Sequence, residues 1–237
     1  MMEYRNELGQ PIGFPVEGWR ERPLPPRSAL KGRYCIVEAL EPEAHADDLY
    51  QAYMQDKGHR VWTYLPYGPF HTFEDYRAWL EADCTGEDPL FYAVIDLKTS
   101  QPAGVASYLN IKPGVGVIEV GHINYSPQLQ QTLAGTEAMF LMMRRVFDEL
   151  GYRRYEWKCD ALNARSRRAA ERLGFVFEGI FRQATIYKGR NRDTAWYALT
   201  DAQWPARKEA FERWLDPSNF DAQGRQRRRL SDCMGRS

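Results

Sequence analysis

The chain has 237 residues, of which 43% are hydrophobic and 14% aromatic, so it can bury a sizeable core in one domain with extensions. Its 32 Lys and Arg residues balance 32 Asp and Glu residues, and this neutrality argues against a nucleic-acid partner or a charged membrane surface. No apolar run approaches the roughly 18 residues of a transmembrane helix, and the first ten residues lack the apolar segment of a secretory signal. We therefore expect a cytoplasmic protein without a membrane or nucleic-acid partner.

The four cysteines are too scattered to suggest a metal site or a disulfide framework. Cys35, Cys84, Cys159 and Cys233 show neither a CxxC pair nor a Cys/His spacing. We expect reduced thiols and no bound metal.

The chain divides into an arm, a domain and a tail. Residues 1–30 are rich in proline and glycine, which predicts an extended arm, and its Phe14 and Trp19 are expected to pack on the domain or on a second subunit. Residues 31–215 are expected to form a single domain. Residues 216–237 are predicted to be a flexible basic tail, and its RQRRR run favours a solvated end over a nucleic-acid anchor.

Within the domain, short apolar runs separated by Pro/Gly turns indicate strands, and apolar residues at helical spacing indicate helices. The predicted elements are a strand at 33–38, helices at 43–57 and 72–82, strands at 90–97, 103–111 and 115–125, a helix at 136–150, a strand at 154–159, a helix at 163–173, strands at 175–187 and 194–199, and a helix at 201–215. This order predicts a mixed α/β (α+β) fold, with a mostly antiparallel sheet flanked by helices and a central βαβ unit.

The most informative segment is NARSRRAAERLGF (residues 163–175), where a polar cap, a basic helix and a Leu-Gly-Phe stop follow one another. Before it come the strand VIEVGHINYS (117–126), the small-residue turn QQTLAGTEA (130–138) and the central helix. A strand, a turn and a helix in this order aim backbone amides at a phosphate. The pattern therefore predicts a site for a long phosphorylated cofactor.

These residues resemble the GNAT acyl-CoA-dependent N-acetyltransferases, in particular their RimJ/RimL-like branch. The matching pieces are VIEVGHINYSP, TEA at 136–138, NARSRRAAERLGFVFEGIFRQ and YKGRNRDTAWYALTDAQW, and the resemblance covers about residues 30–205. It implies a GNAT-like sheet and an acetyl-CoA-dependent N-acetyltransferase that releases CoA. The acetyl group would pass by direct attack to a primary amine, either a protein N-terminus or a small amine.

The resemblance also implies where the cofactor binds. The family's pyrophosphate loop, Arg/Gln-x-x-Gly-x-Gly/Ala, matches residues 130–135, and a leucine replaces its first glycine. Such a leucine can keep its N–H available, or it can weaken or shift the cofactor. The alternative is that the turn merely caps the helix through Thr136. The amides expected to bind the cofactor belong to Gln131, Thr132, Leu133, Ala134, Gly135 and Thr136.

Two residues of the basic helix have two interpretations each. Asn163 is a natural N-cap, and the resemblance adds a contact with the pantetheine arm of CoA. Ser166 is either a polar first-turn residue or the proton donor to the leaving thiolate, because the tyrosine that serves many relatives is missing from residues 169–172.

A general base is expected on the strand before the turn. Glu119 is the first candidate, since the family carries an acid here and partial burial would raise its pKa, and the alternative is a solvated strand glutamate. His122 is the second candidate. Main-chain N–H groups of Ile123, Asn124 and Tyr125 are expected to bind the thioester and its developing oxyanion.

Three further questions stay open in the sequence. The aromatic residues Trp62, Tyr64, Tyr67 and Phe70 form either core packing or an acceptor-binding wall, and Arg165, Arg167 and Arg168 either face the 3′-phosphate of CoA or are solvated. The competing function is a non-catalytic or weakly CoA-binding GNAT-fold interaction or sensor module. A third hypothesis is nucleic-acid binding through the basic tail, and a homodimer through the arm is also open.

Overall fold

The computed structural model describes residues 3–234 and contains one eight-stranded sheet with helices on both faces. The strands are β1 (Tyr4–Arg5), β2 (Pro11–Ile12), β3 (Leu30–Lys31), β4 (Cys35–Ala39), β5 (Leu90–Asp96), β6 (Gln101–Lys112), β7 (Val117–Tyr125), β8 (Arg154–Asp160), β9 (Val176–Tyr187) and β10 (Arg190–Thr200). The helices are α1 (Pro42–Met54), α2 (Phe73–Asp83), α3 (Leu133–Arg144), α4 (Ala164–Arg172), α5 (Trp204–Leu215) and α6 (Leu230–Cys233).

The main sheet has the order β3-β4-β5-β6-β7-β8-β10-β9, and β1 and β2 form a separate hairpin. Every neighbouring pair in the sheet is antiparallel except β7 and β8, which are parallel and are joined through α3. The mixed, mostly antiparallel sheet with a central βαβ unit is thereby confirmed.

Two apolar clusters hold the helices to the sheet. One lies between the sheet and α3, α4 and α5, and includes Met139, Leu173 and Phe211. The other lies on the opposite face under α1 and α2, where Trp62 and Tyr76 are buried. On this second face, α1 and α2 cover the β4–β6 side of the sheet, and a cleft lies beside them over β7, β8 and β10.

The central helix starts earlier than its sequence predicts. The expected helix covered residues 136–150, whereas α3 begins at Leu133 and passes into a π-helical turn at Arg145–Glu149. Thr132 is its N-cap, because the side-chain hydroxyl accepts from the amide of Gly135 at 3.0 Å. The alternative in which Thr136 caps the helix is therefore wrong, and the amide of Thr136 instead donates to the carbonyl of Thr132 at 3.2 Å.

The second half of the arm is fixed to the domain by its main-chain carbonyls. Tyr152 donates to Pro23, Tyr92 donates to Pro26, and the buried Arg145 donates to Ser28 at 2.6 Å. The indole of Trp19 donates to Gly114 at 2.7 Å. The first half carries the β1–β2 hairpin and leaves Leu8 and Phe14 exposed.

The segment after α5 packs on that helix, which differs from the loose tail that the sequence predicts. Asn219 donates to the carbonyl of Trp214, and Leu230 in α6 is 1% exposed. Arg207 donates to the carbonyl of Met234 at 2.9 Å. The first two residues of the predicted arm and the last three of the predicted tail lie outside the described residues.

Candidate active site

The parallel strands β7 and β8 separate in the middle of the sheet. Their register runs from Val117 opposite Arg154 to Val120 opposite Trp157 and then ends, while β7 continues along β6 to Tyr125 opposite Gly104. The edge of β7 from Gly121 onwards therefore has no β8 partner in the described strands. This opening contains the predicted residues Ile123, Asn124 and Tyr125, and their main chain can contact an extended ligand there.

The N-terminus of α3 offers free amides beside this opening. Gly135 and Thr136, both expected to bind phosphate, already donate to Thr132. In the described structure, no protein acceptor is recorded for the amides of Gln131, Thr132, Leu133 and Ala134. These four amides, with the positive end of the helix dipole, fit a pyrophosphate group.

Leu133 and Gly135 have different roles from those that the loop motif suggests. Leu133 is the first residue of α3 in ordinary helical backbone, so its side chain does not prevent its N–H from facing a ligand. Gly135 is needed because a Cβ there would lie 2.7 Å from the carbonyl of Leu129 and 3.1 Å from the ring of Tyr125. The glycine thus allows the preceding turn to close onto the helix.

The N-terminus of α4 is fixed to β8. Asn163 caps the helix, since its side-chain oxygen accepts from the amide of Ser166 at 3.1 Å. The hydroxyl of Ser166 in turn accepts from the indole N–H of Trp157 at 3.0 Å. Ser166 therefore joins α4 to the strand that borders the opening, and its own hydroxyl proton can still be donated.

Glu119 lies in the cleft on the other face of the sheet. Its side chain is largely buried, at 5% residue exposure, and its Oε2 accepts from Asn110 at 2.8 Å and from the Lys158 ammonium at 2.6 Å. Burial raises the pKa of Glu119, and Lys158 and Asn110 offset part of that rise. The other oxygen, Oε1, lies 3.8 Å from the position that a Cβ on Gly121 would occupy, at the start of the opening. The solvated alternative is therefore wrong.

The partners of Glu119 were not predicted from the sequence. Lys158 also contacts Glu156 at 2.8 Å and lies 4.0 Å from the ring centroid of Trp196. The signal was present in RYEWKCD, where Tyr155, Trp157 and Cys159 alternate with Glu156, Lys158 and Asp160. An apolar face and a charged face on one central strand indicate that the charged face borders a polar site.

His122 belongs to an aromatic cluster. It lies in a bulge of β7 with φ +49°, and its Nδ1 lies 3.0 Å from the Tyr67 hydroxyl. Its ring stacks on Tyr67 and packs against Phe91. Burial, with a smaller contribution from Arg192, lowers its pKa to about 4. A neutral imidazole of such low basicity is a weaker candidate base than Glu119.

The remaining open questions are resolved in part. Trp62 is buried against Tyr53 and Phe70, so this part of the aromatic run is core packing, whereas Tyr64 reaches the carbonyl of Leu162. Arg167 donates to the hydroxyl of Tyr197 at 3.1 Å, and Arg165 and Arg168 are exposed.

The cleft that contains Glu119 has a volume of about 320 Å³. Its lining combines charged, polar and aromatic side chains: Asn110, Glu119, Lys158, Phe181, Thr185, Arg192, Thr194 and Trp196. Between residues 3 and 234, no group of three or more His, Cys, Asp or Glu side chains is arranged to hold a metal ion. None of the helices in that same range is long and apolar enough to cross a membrane.

Comparison with known proteins gives a consistent result. A family model described as an acetyltransferase (GNAT) domain matches residues 35–176. A GCN5-related N-acetyltransferase from Brucella melitensis is 45% identical, with a TM-score of 0.91, and the match covers 92% of this chain and 99% of that one. A probable GNAT-family acetyltransferase from Chromobacterium violaceum is 38% identical, with a TM-score of 0.77 and coverages of 83% and 98%.

A more distant match shows likeness of fold alone. The RimL ribosomal α-N-protein acetyltransferase, solved with coenzyme A, is 20% identical with a TM-score of 0.60, over 74% of this chain and 99% of that one. No curated protein matches the chain significantly. The sheet, the opening between β7 and β8 and the two closer matches lead to one conclusion: the chain belongs to the GNAT family of acetyl-CoA-dependent N-acetyltransferases.

Proposed function

We propose that this protein acetylates a primary amine by direct attack, with Glu119 as the proton acceptor. The observation that carries the proposal is the placement of Glu119, a buried carboxylate with one oxygen tied to Lys158 and Asn110 and the other beside the opening. Acetyl-CoA supplies the acetyl group as a thioester. Glu119 Oε1 accepts the proton that the acceptor ammonium must lose before its nitrogen can bond to the acetyl carbon.

The other residues bind and orient. The free amides of Gln131–Ala134 would hold the pyrophosphate, and the main chain of Ile123, Asn124 and Tyr125 would donate to the carbonyl oxygen as negative charge develops on it. Ser166 can return a proton to the departing sulfur, directly or through water. Trp157 donates to Ser166, and Lys158, the residue after Trp157 in β8, donates to Glu119. Because consecutive side chains of a strand point to opposite faces, the proton donor Ser166 and the proton acceptor Glu119 lie on opposite faces of the sheet.

The test of the base is the Glu119→Gln variant. We expect turnover to fall roughly 10²-fold at neutral pH, because the amide cannot accept the proton. The deficit should shrink as pH rises, because more acceptor arrives already deprotonated. Glu178→Gln is the matched control, since Glu178 pairs with Arg154 outside the cleft lining. Full activity of Glu119→Gln at pH 7 would exclude Glu119 as the base.

The cofactor site is tested by deleting one amide. Leu133→Pro removes the N–H at the first position of α3, where proline is favoured, and Thr132 already has the extended backbone that precedes a proline. Leu133→Ala keeps the amide and is the control. Calorimetry with acetyl-CoA should show weaker binding for the proline variant only. If the unaltered protein binds no acetyl-CoA at near-millimolar concentration, the non-catalytic module is the better hypothesis.

The acceptor and the assembly also belong to the proposal. The RimL likeness supports a protein N-terminus, and a small amine is the alternative. Release of CoA thiol in the presence of unblocked peptides, N-terminally blocked peptides and small amines separates them. The exposed apolar residues Phe14 in the arm and Ile186 on β9 support a homodimer, which sedimentation measures directly. The cytoplasmic location also stays a prediction.

A further inference from the structure

We infer that Lys158 is a positioning residue that keeps Glu119 ionised and directs its Oε1 towards the acceptor. The inference rests on the proposed function of Glu119. It starts from the fact that the two oxygens of this carboxylate have different surroundings. Oε2 receives the Lys158 ammonium at 2.6 Å and the Asn110 amide at 2.8 Å, and no partner is recorded for Oε1 among the described residues.

Lys158 is itself held in place from three sides. Its ammonium contacts Glu119 and, at 2.8 Å, Glu156, and it lies 4.0 Å above the ring centroid of Trp196. Glu156 is in turn fixed by Arg154 at 2.6 Å. Few rotamers satisfy all three contacts, so the ammonium cannot readily follow the carboxylate if that group rotates. The cation therefore fixes which oxygen of Glu119 is left for the substrate.

The charges around Glu119 indicate that its ionisation depends on the Lys158 ammonium. The groups that face the cleft are Lys158 and Glu156 from β8, Arg192 from β10 and the neutral Asn110 amide from β6. Burial and Glu156 both disfavour a second negative charge, and Lys158 is the cation in direct contact with Glu119. Without this ammonium, a carboxyl group so little exposed would hold its proton to higher pH, so a smaller fraction of the protein would carry the carboxylate base at neutral pH.

The direct test needs neither an acceptor nor turnover. Carbon-13 NMR of the glutamate side-chain carboxyls follows the titration of Glu119, and Glu119→Gln assigns its resonance. In Lys158→Met, which keeps a chain of similar length without the charge, we expect the titration midpoint of Glu119 to move to higher pH. Lys158→Arg should restore most of the original midpoint. Lys208→Met is the matched control, because Lys208 pairs with Asp148 far from β7.

The outcomes are separable. An unchanged Glu119 midpoint in a folded Lys158→Met protein overturns the inference, whatever the enzyme's activity. If Lys158→Met does not fold, the folded Asn110→Leu protein, which keeps the ammonium, decides the matter. A Glu119 midpoint above neutral pH in that variant overturns the inference, because the ammonium would then not keep the carboxylate ionised, and a midpoint below neutral pH supports it. Once an acceptor is known, Lys158→Met should lower kcat/KM about tenfold at neutral pH and recover at alkaline pH. If Lys158→Met lowers kcat/KM equally at every pH, Lys158 has a structural role only. If the Glu119 midpoint shifts but the protein transfers acetyl groups to no acceptor, the proposed function is refuted and the inference about Lys158 stands.

Discussion

His122 is a half-buried imidazole that the proposed chemistry does not use, so its effect should be on stability. Its pKa is lowered from 6.5 to about 4. Between these values the unfolded chain binds a proton that the folded protein does not, and stability is therefore lost as pH falls through this range. We expect the unfolding free energy of the unaltered protein to fall between pH 7 and pH 5 by up to about 2 kcal/mol more than that of His122→Asn.

Asparagine is the right replacement because it tolerates the positive φ at this position. Urea unfolding at the two pH values measures the difference, and His71→Asn, which changes an exposed histidine, should leave the pH dependence unaltered. Identical pH dependence in His122→Asn and the unaltered protein would show that folding does not lower the pKa of this imidazole.

Ser166 combines a structural contact with its proposed chemistry. Ser166→Ala leaves the indole N–H of the buried Trp157 without its acceptor, which costs about 1–3 kcal/mol in chemical unfolding. If the hydroxyl also donates to the departing thiolate, kcat should fall about tenfold with little change in KM for acetyl-CoA. Ser166→Thr keeps a hydroxyl and should recover both. A Ser166→Ala protein as stable as the unaltered one would contradict the hydrogen bond with Trp157. An unaltered kcat would contradict proton donation by Ser166 to the thiolate.

At single residues, the sequence predicted what local pattern encodes. Glu119 stands out as an acid between apolar neighbours, and Asn163 is recognisable as a cap because capping involves residues only three positions apart. Lys158 could not be assigned as its partner, because that contact joins two strands separated by the whole of α3. The parallel register of β7 and β8 is set by packing rather than by local sequence. The bulge that turns His122 towards Tyr67 is equally invisible in an alternating pattern.

Glu137 fixes α3 to the first strands of the sheet. Its carboxylate accepts from the amides of Arg33, Tyr34 and Cys35 at 2.9, 2.6 and 2.9 Å. Gly32 has no side chain to clash with this carboxylate, whereas a Cβ there would overlap it. One carboxylate thus satisfies three consecutive main-chain donors, which no neutral side chain of this size can do.

We expect Glu137→Gln to destabilise the protein by about 3 kcal/mol. The amide offers one acceptor oxygen instead of two and turns an NH₂ group towards N–H donors. Denaturant unfolding is the measurement. Glu209→Gln serves for comparison, since it alters an exposed carboxylate that pairs with the exposed Arg213 on α5 and should cost less than about 1 kcal/mol. Equal losses in the two variants would rule out this role for Glu137.

The beginning of α3 shows why element boundaries were harder to predict than elements. Apolar spacing indicated the helix, but the capping residue considered in the sequence was Thr136. In the structure the cap is Thr132, directly after a turn at Gln131 with φ +61°. The glycine at 135 looked like a phosphate-binding residue. It is explained instead by the close approach of the Leu129 carbonyl, a contact that depends on the folded turn.

At the scale of the whole molecule, the two halves of the arm should differ in importance. Residues 3–16 are mostly exposed, whereas residues 19–30 provide the acceptors for Tyr92, Arg145 and Tyr152. Removing residues 1–16 should change the thermal midpoint little. Removing residues 1–28 takes away the main acceptor of a buried guanidinium and should cost about 3–5 kcal/mol. Equal thermal midpoints of the two truncated proteins would show that the arm is dispensable.

The attachment of the arm and of the tail to the domain could not be predicted from composition. Proline content predicts an irregular arm, but the docking of that arm depends on carbonyl groups, which every sequence possesses. The tail was expected to be loose because it is polar. Its attachment includes the buried Leu230 and main-chain acceptors for Asn219 and Arg207, which composition does not distinguish from a solvated end.

The short ladder between β7 and β8 has a mechanical consequence. Among the described strands, only four register pairs join the two sections of the sheet laterally, and beyond them no main-chain ladder links β7 to β8. On the proposed function, an extended substrate lying in that gap would bridge the two sections as an added strand would. The stiffness of the molecule would then rise on substrate binding and fall on product release. The two sections of the sheet would therefore be mechanically coupled and uncoupled once in each catalytic cycle.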